Sequence, residues 1–490
     1  MTPGPAPSAE RLSARGTTAL ALLFAAGSLI ALAWQGYVHV PFPYALEWQE
    51  PAMLEHALRV RSGEGLYVAP SVEFAPFPYP PLFHWLGAAS TVAFGPDLVA
   101  LRAVSLASTL ALLALVAAMG ARRGGAAGGA ITAGVRAASA PWTGEWFFVA
   151  RVDALAVSLS AAALFVATGA RAAGGSFLAG LVAGVLAALA ILAKQTSFGL
   201  AAALLVGLGL ARATRRTAAG FSVGVAAALV PLAVALEGRS SGWFSFTTVD
   251  LLSGSPWYVP AAIDYWRELA LVAAPVVGLV VAGRGAPASE SSPVRTVEWF
   301  AVAALVAMGW AGRAHEGGFR NTLLPAALAL ALVAGPAFAR AARTRPRAAL
   351  PLVVLLFGVL HLGWSRAPMP GLDEAEHVGQ LAARIASIDG EVWQPHGAID
   401  PRTPGGVHAM AINDLLKSGE RDVAQRFVDD LTNALNAKRF AAIVFGVEIS
   451  EWADLEPLGR NYVVRERLDG FDHEMPIGAP HAPRLLLVPR

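Results

Sequence analysis

Long apolar runs separated by short segments that carry most of the arginines fill the chain from Thr17 to Trp364, and beyond Asp373 the charges become evenly spread. Crossing a hydrocarbon core of roughly 30 Å takes about 17–25 helical residues. Runs of this kind cover 17–35, 98–119, 152–170, 176–192, 197–211, 218–236, 266–282, 297–312, 322–339 and 348–363, with a weaker one at 126–141. They predict an α-helical multi-pass membrane protein with about eleven transmembrane helices. The stretch 80–95, PPLFHWLGAASTVAFG, is apolar but short and opens on two prolines. It reads as a re-entrant or interfacial piece rather than a span.

The tail follows different periods. Segments 374–388 and 421–437 have the spacing of amphipathic helices, and 440–445 and 484–488 read as short buried strands. This divides the chain into an N-terminal segment 1–16, a transmembrane part 17–365 whose first outer loop is 38–97, and a small soluble α/β domain at 373–490. Cytoplasmic loops retain Lys and Arg near helix ends. With Arg11 and Arg15 inside, the same threading puts Arg122/Arg123, Arg171, Arg212/Arg215/Arg216, Arg284/Arg295 and Arg340/Arg343/Arg345/Arg347 inside too. The C-terminal domain is then extracytoplasmic, and the expected location is the plasma (inner) membrane. The first run is long for a signal-peptide core, although Ala31-Leu32-Ala33 has the form of a cleavage site.

Composition supports the membrane reading: 55% of the 490 residues are hydrophobic and 15% charged. A net charge of +2 gives no field that would attract nucleic acid, and the absence of cysteine excludes disulfides, thiolate nucleophiles and Cys-ligated metals. There is no Walker loop, dinucleotide fingerprint or HExxH, which argues against ATP-driven transport and zinc proteolysis.

The polar residues with chemical capability gather on the outer face. In LEWQEPAMLEHALRVRSGEGLY, Pro51 and Gly63 punctuate a short interfacial helix with Met53, Leu54, Ala57 and Leu58 on one face. Glu50 stands at its N-terminus and Glu47 just before it. Such a pair can supply a general base or ligate a hard divalent cation, or it can be a solvated cap. Tyr79-Pro80-Pro81 fixes the return of the loop towards the bilayer, and His84 either touches substrate or anchors the interface beside Trp85. Arg151 and Asp153, two apart at a helix mouth, cannot face each other, so each needs another partner. Lys194-Gln195-Thr196 is the only polar break between 176 and 211; its lysine either snorkels or holds a phosphate. In the loop Arg313-Ala-His315-Glu316-Gly-Gly-Phe-Arg320-Asn321, two guanidinium groups flanking Gly-Gly can wrap a phosphate.

These features together resemble the C-type superfamily of integral-membrane glycosyltransferases, in particular the branch of protein O-mannosyltransferases and aminoarabinose transferases. The resemblance covers roughly 20–363 and rests on Glu47/Glu50, Gly65-Leu66-Tyr67, Tyr79-Pro80-Pro81-Leu82, Arg102, Arg151-Val-Asp153, Leu192-Ala-Lys194-Gln195-Thr196 and Gly318-Phe-Arg320-Asn321. It implies transfer of a sugar from a polyprenyl-phosphate donor to a glycan, lipid or protein acceptor at the outer membrane face. Glu47 or Glu50 is then the base, and Tyr79, His84, Arg102, Arg151, Asp153, Lys194, Gln195, Arg313, His315, Arg320 and Asn321 form the substrate site. Relatives usually have Asp where this chain has Glu47, and they divide on divalent-cation use. The rival reading is a transporter or flippase of lipid-linked sugars, which would more often show repeat symmetry and midplane charges.

Overall fold

The computed structural model describes residues 8–169, 175–210, 212–285, 292–446, 456–468, 475–478 and 483–490. The expected class is borne out: apolar helices make up most of the chain, and a small mixed sheet closes its C-terminal end. The helices are α1 Ser8–His39, α2 Glu50–Ser62, α3 Leu82–Phe94, α4 Leu98–Ala138, α5 Asp153–Gly169, α6 Phe177–Ala193, α7 Phe198–Leu210 and α8 Arg215–Ser240. Two single turns follow, α9 Trp243–Ser245 and α10 Leu251–Ser253, and then α11 Val259–Ala282, α12 Ser292–Arg313, α13 Leu324–Thr344 and α14 Pro346–Leu362. Among the described residues five helices are long and apolar enough to cross a membrane, and five further apolar helices are shorter. One of the shorter is α3, the piece expected at 80–95; its 13 residues reach only about 20 Å.

Two of the expected runs, 98–119 and 126–141, belong to the single element α4, which reverses at Gly125. A Cβ on Gly120 would lie 2.1 Å from the Thr132 hydroxyl, whereas a straight helix would hold positions twelve apart at about 18 Å. The two arms therefore pack face to face, and Gly125 makes the reversal with φ 68° and ψ −170°, a region essentially reserved for glycine. Nothing surrounds its Cβ position within 4 Å, so Gly125→Ala tests the backbone alone. The expected cost is about 1–3 kcal/mol, read as a lower unfolding temperature in detergent micelles.

The tail folds as α15 Leu372–Ala386, β1 Val392–Trp393, α16 Ala409–Lys417, α17 Arg421–Asn436, β2 Ala442–Phe445, α18 Glu456–Asn461, β3 Tyr462–Arg467 and β4 Leu485–Pro489. Strand order is β1-β2-β4-β3, parallel for β1/β2 and antiparallel for the other pairs. All four residues of β2 are buried because both faces of the sheet are covered. Ala442 and Val444 meet Leu381 and Ile385 of α15, while Ile443 and Phe445 share a cluster with Phe427 and Leu431 of α17. That second cluster continues without a break into Met53, Leu54, Phe77 and Leu101. The tail and the 40–97 segment thus share one core. Backbone bonds from Val407 to Val72 and from Ile477 to Leu46 tie them together.

Candidate functional site

The punctuation expected for α2 is the one observed. Pro51 occupies its first turn, and Gly63 ends it with φ 80°. Met53, Leu54 and Ala57 are buried and Leu58 is half-buried. The same helix start takes Glu50 into the interior, where each carboxylate oxygen accepts two bonds. Oε1 accepts from Arg102 Nε at 2.9 Å and the Ala150 amide at 2.6 Å. Oε2 accepts from Arg102 Nη2 at 2.5 Å and the Leu46 amide at 2.7 Å. Arg102 spends its remaining donors on the carbonyls of His39, Phe42 and Tyr44. Burial pushes the Glu50 carboxyl up, but Arg102 and the two amides outweigh it and hold the group below the usual carboxylate range. This pair braces the turn from α1 into α2.

Glu47, one helical turn earlier, is equally buried and differently occupied. Its Oε2 accepts from Arg151 Nη1 at 2.8 Å and the Gln49 amide at 3.1 Å, while Oε1 has no partner among the described residues. Arg151 gives its other terminal nitrogen to the Tyr79 hydroxyl at 2.7 Å, and its guanidinium lies 5.1 Å from the Trp146 ring centroid. Burial raises the Glu47 carboxyl to about 7 despite the opposing charge of Arg151. A base raised this way is uncharged in acid and ionised above neutrality. If Glu47 takes a proton in the reaction, kcat/KM should rise with pH through about 7 and level off above it. A rate–pH profile measured in the protein's own membranes checks this.

A third ion pair starts two residues beyond Arg151. Asp153 Oδ1 accepts from Lys194 Nζ at 2.6 Å and from Asn321 Nδ2 at 3.1 Å, and Oδ2 is buried without a partner among the described residues. Arg151 and Asp153 therefore do take separate partners. Asp153, Lys194 and Asn321 line a cleft whose wall continues through Ser160, Leu305 and Met308. Lys194 is not a free ammonium here; a carboxylate holds it. His84 is buried against the His56 ring at 5.1 Å, with neither nitrogen bonded among the described residues.

Other sequence candidates sit apart from this centre or brace it. Gln195 donates to the Pro78 and Thr248 carbonyls, so it fixes the aromatic–proline segment. Arg313 turns back onto the Gly318 carbonyl, and His315 bonds the Ser255 carbonyl against the Trp257 ring. Arg320 donates to the Trp142 carbonyl and lies 3.8 Å from Glu268. The two arginines take different partners. Metal ligation does not fit Glu50, whose four acceptor positions are filled, and no group of three acidic or histidine side chains gathers among the described residues.

Two contributors were not legible in the sequence. One is the loop 139–152, buried except at Gly144, which delivers Trp146 and the Ala150 amide. The other is Ile477-Gly478: Ile477 bonds the Leu46 carbonyl at 3.0 Å, and a Cβ on Gly478 would lie 3.2 Å from Glu47 Cγ. No local pattern announces either, because each matters only through what it touches.

The helical bundle, the folded loop after the first helix and the capping tail together make a multi-pass fold that is shared with solved membrane proteins. The family profile for dolichyl-phosphate-mannose-protein mannosyltransferase matches residues 78–236. ArnT from Cupriavidus metallidurans in the apo state superposes with a TM-score of 0.64 at 16% identity, covering 96% of this chain and 98% of that one. The same protein bound to undecaprenyl phosphate gives 0.62 at 14% identity over the same shares. The oligosaccharyltransferase of Archaeoglobus fulgidus, tethered with an acceptor peptide, gives 0.51 at 11% identity, covering 92% of this chain and 72% of that one. Among curated proteins none matches this sequence.

Proposed function

We propose that the protein is a polyprenyl-phosphate-dependent glycosyltransferase that uses Glu47 as its base on the non-cytoplasmic side of the membrane. The observation that carries this reading is the free, buried Oε1 of Glu47 beside Arg151, in a carboxyl raised to about 7. The fold shared with ArnT, one structure of which holds undecaprenyl phosphate, supports the donor class.

In the proposed step the acceptor hydroxyl gives its proton to Glu47 while its oxygen bonds the anomeric carbon, and the sugar–phosphate bond breaks with its electron pair leaving on the phosphate. A phosphate leaving group needs charge stabilisation rather than protonation. Lys194, in the cleft with Asp153 and Asn321, supplies it on exchanging its carboxylate partner for the carrier phosphate. Single displacement gives inversion at the anomeric carbon. Arg151 and Tyr79 orient Glu47, and Glu50 with Arg102 holds the loop. Because Glu47 is fully buried, the acceptor reaches it only after the side chains that cover it move.

The test is transfer of radiolabelled sugar from a pool of polyprenyl-phosphate sugars to endogenous acceptors, with the stereochemistry of the product determined. The expected result is an inverted product. Retention would overturn the single displacement. No transfer from any carrier, with labelled sugar-lipid instead crossing proteoliposome membranes, would establish the transporter reading.

A further inference from the structure

The loop 139–152, which brings Trp146 and the Ala150 amide to the site, also holds a glutamate that the proposed step does not use. Glu145 is 5% exposed and stands next to Trp146 in the chain. It follows Gly144 in the left-handed region, with φ 64° after φ 71°. The first of these suffices to close the turn after α4: the Gly144 amide donates to the Pro141 carbonyl at 3.2 Å and the Glu145 amide to the Ala140 carbonyl at 2.8 Å. Glycine takes that conformation without steric cost. A second left-handed residue that carries a side chain costs about 1–3 kcal/mol and persists only where its surroundings enforce it.

Those surroundings come from two sides. Glu145 Oε2 accepts from the Ala367 amide at 3.2 Å. Ala367 lies in the connector from α14 to α15, and among the described residues this is the one hydrogen bond made by the main chain of 364–370. From the other side the residues before α13 pack against the turn. A Cβ on Gly144 would lie 2.9 Å from Arg320 Cβ, and the Arg320 guanidinium lies 5.0 Å from the ring centroid of Trp364, at the head of the connector. Burial raises the Glu145 carboxyl to about 7, against the pull of the Ala367 amide and the charge of Arg366. Directly after Glu145, Trp146 sets its ring 5.1 Å from the Arg151 guanidinium, and Arg151 in turn holds Glu47. Contacts thus run from the connector through Glu145 and Trp146 to Arg151 and the base.

We infer that Glu145 is a positioning residue for the transfer: by tying the connector to the strained turn it sets Trp146 against Arg151 and so fixes the Arg151–Glu47 pair. The inference rests on the proposed role of Glu47 as base. The connector is the covalent root of the C-terminal tail, so the seating of the tail and the orientation of the base share one hydrogen bond.

The experiment compares Glu145→Ala and Glu145→Gln in the full-length protein by transfer kinetics across pH and by amide hydrogen exchange. The side-chain amide of Glu145→Gln can still accept from Ala367, so this variant should keep wild-type kinetics. Glu145→Ala frees the connector. Its kcat should fall about tenfold, within the hundredfold that a 1 Å misplacement can cost, with KM for the donor unchanged. The charge of Arg151 lowers the Glu47 carboxyl, so a loosened pair should move the midpoint of the rate–pH profile up by about one unit. Exchange should quicken at Ala367 and across 143–147. Should Glu145→Ala not fold, Ala367→Pro removes the donor amide from a mostly exposed connector and should give the same upward shift. Equal shifts in Glu145→Ala and Glu145→Gln would assign the effect to lost charge and overturn the inference. A lower unfolding temperature with an unchanged pH profile would mark a purely structural role and overturn it too. If Glu47→Gln transfers like wild type, the reading of Glu47 fails by itself, and exchange alone then judges the tie: 143–147 staying protected in Glu145→Ala would reject it.

Discussion

Glu47→Gln is expected to lower sugar transfer by about 10²–10⁴-fold, the range that a positioned general base contributes. The amide keeps the size of the side chain and can still accept from Arg151, so the protein should remain folded. What it lacks is the capacity to take a proton. Oε1, the atom without a partner, is the one available for that task. Transfer is measured in membranes matched for protein content, with the unfolding temperature of the purified variant beside it. A folded Glu47→Gln protein that transfers at the wild-type rate would remove Glu47 from the mechanism. Glu47→Asp shortens the reach of the carboxylate by one methylene and should fall between the two.

Arg102→Met should act through the fold instead. It leaves the Glu50 carboxylate in the interior with only the Leu46 and Ala150 amides for partners, and it frees the carbonyls of His39, Phe42 and Tyr44. Breaking one side of a buried ion pair costs about 3–5 kcal/mol, enough to threaten a protein of ordinary stability. The expected result is a large fall in unfolding temperature and in the yield of monodisperse protein. Glu50→Gln should fall the same way by a smaller amount, because the amide nitrogen faces donors where the carboxylate accepted. A stable Arg102→Met protein without transfer would instead place Arg102 in the chemistry. Measuring stability and rate together separates the two glutamates.

Those two residues also show where sequence reading stops. Glu47 and Glu50 are the same residue type, three positions apart, and nothing local tells which is proposed for the reaction and which is held as a brace. The difference arises because Glu50 meets Arg102, 52 positions on, and the Ala150 amide, 100 on, while Glu47 meets Arg151, 104 on. The separation of Arg151 from Asp153 was legible, since neighbours two apart on a helix cannot pair. Their partners were not. The partners of Arg313 and Arg320, the Gly318 and Trp142 carbonyls, were not legible either.

What the sequence determined by itself is whatever depends on local period and punctuation. The length of the apolar runs gave the helical membrane part. Pro51 and Gly63 gave the ends of α2, and the amphipathic spacing in 374–388 and 421–437 gave α15 and α17. The short buried strands β2 and β4 were legible, but two elements escaped: the nine-residue α16 offers about two and a half turns of pattern, and in β3 most side chains are not buried. Only the tertiary structure decided the reversal of α4 at Gly125, the shared core of tail and loop, and Gly478 lying over Glu47. Periodicity records which face of an element avoids water. Which buried charge meets which is fixed by packing between distant segments, where desolvation forces each group to find a partner that the local sequence does not name.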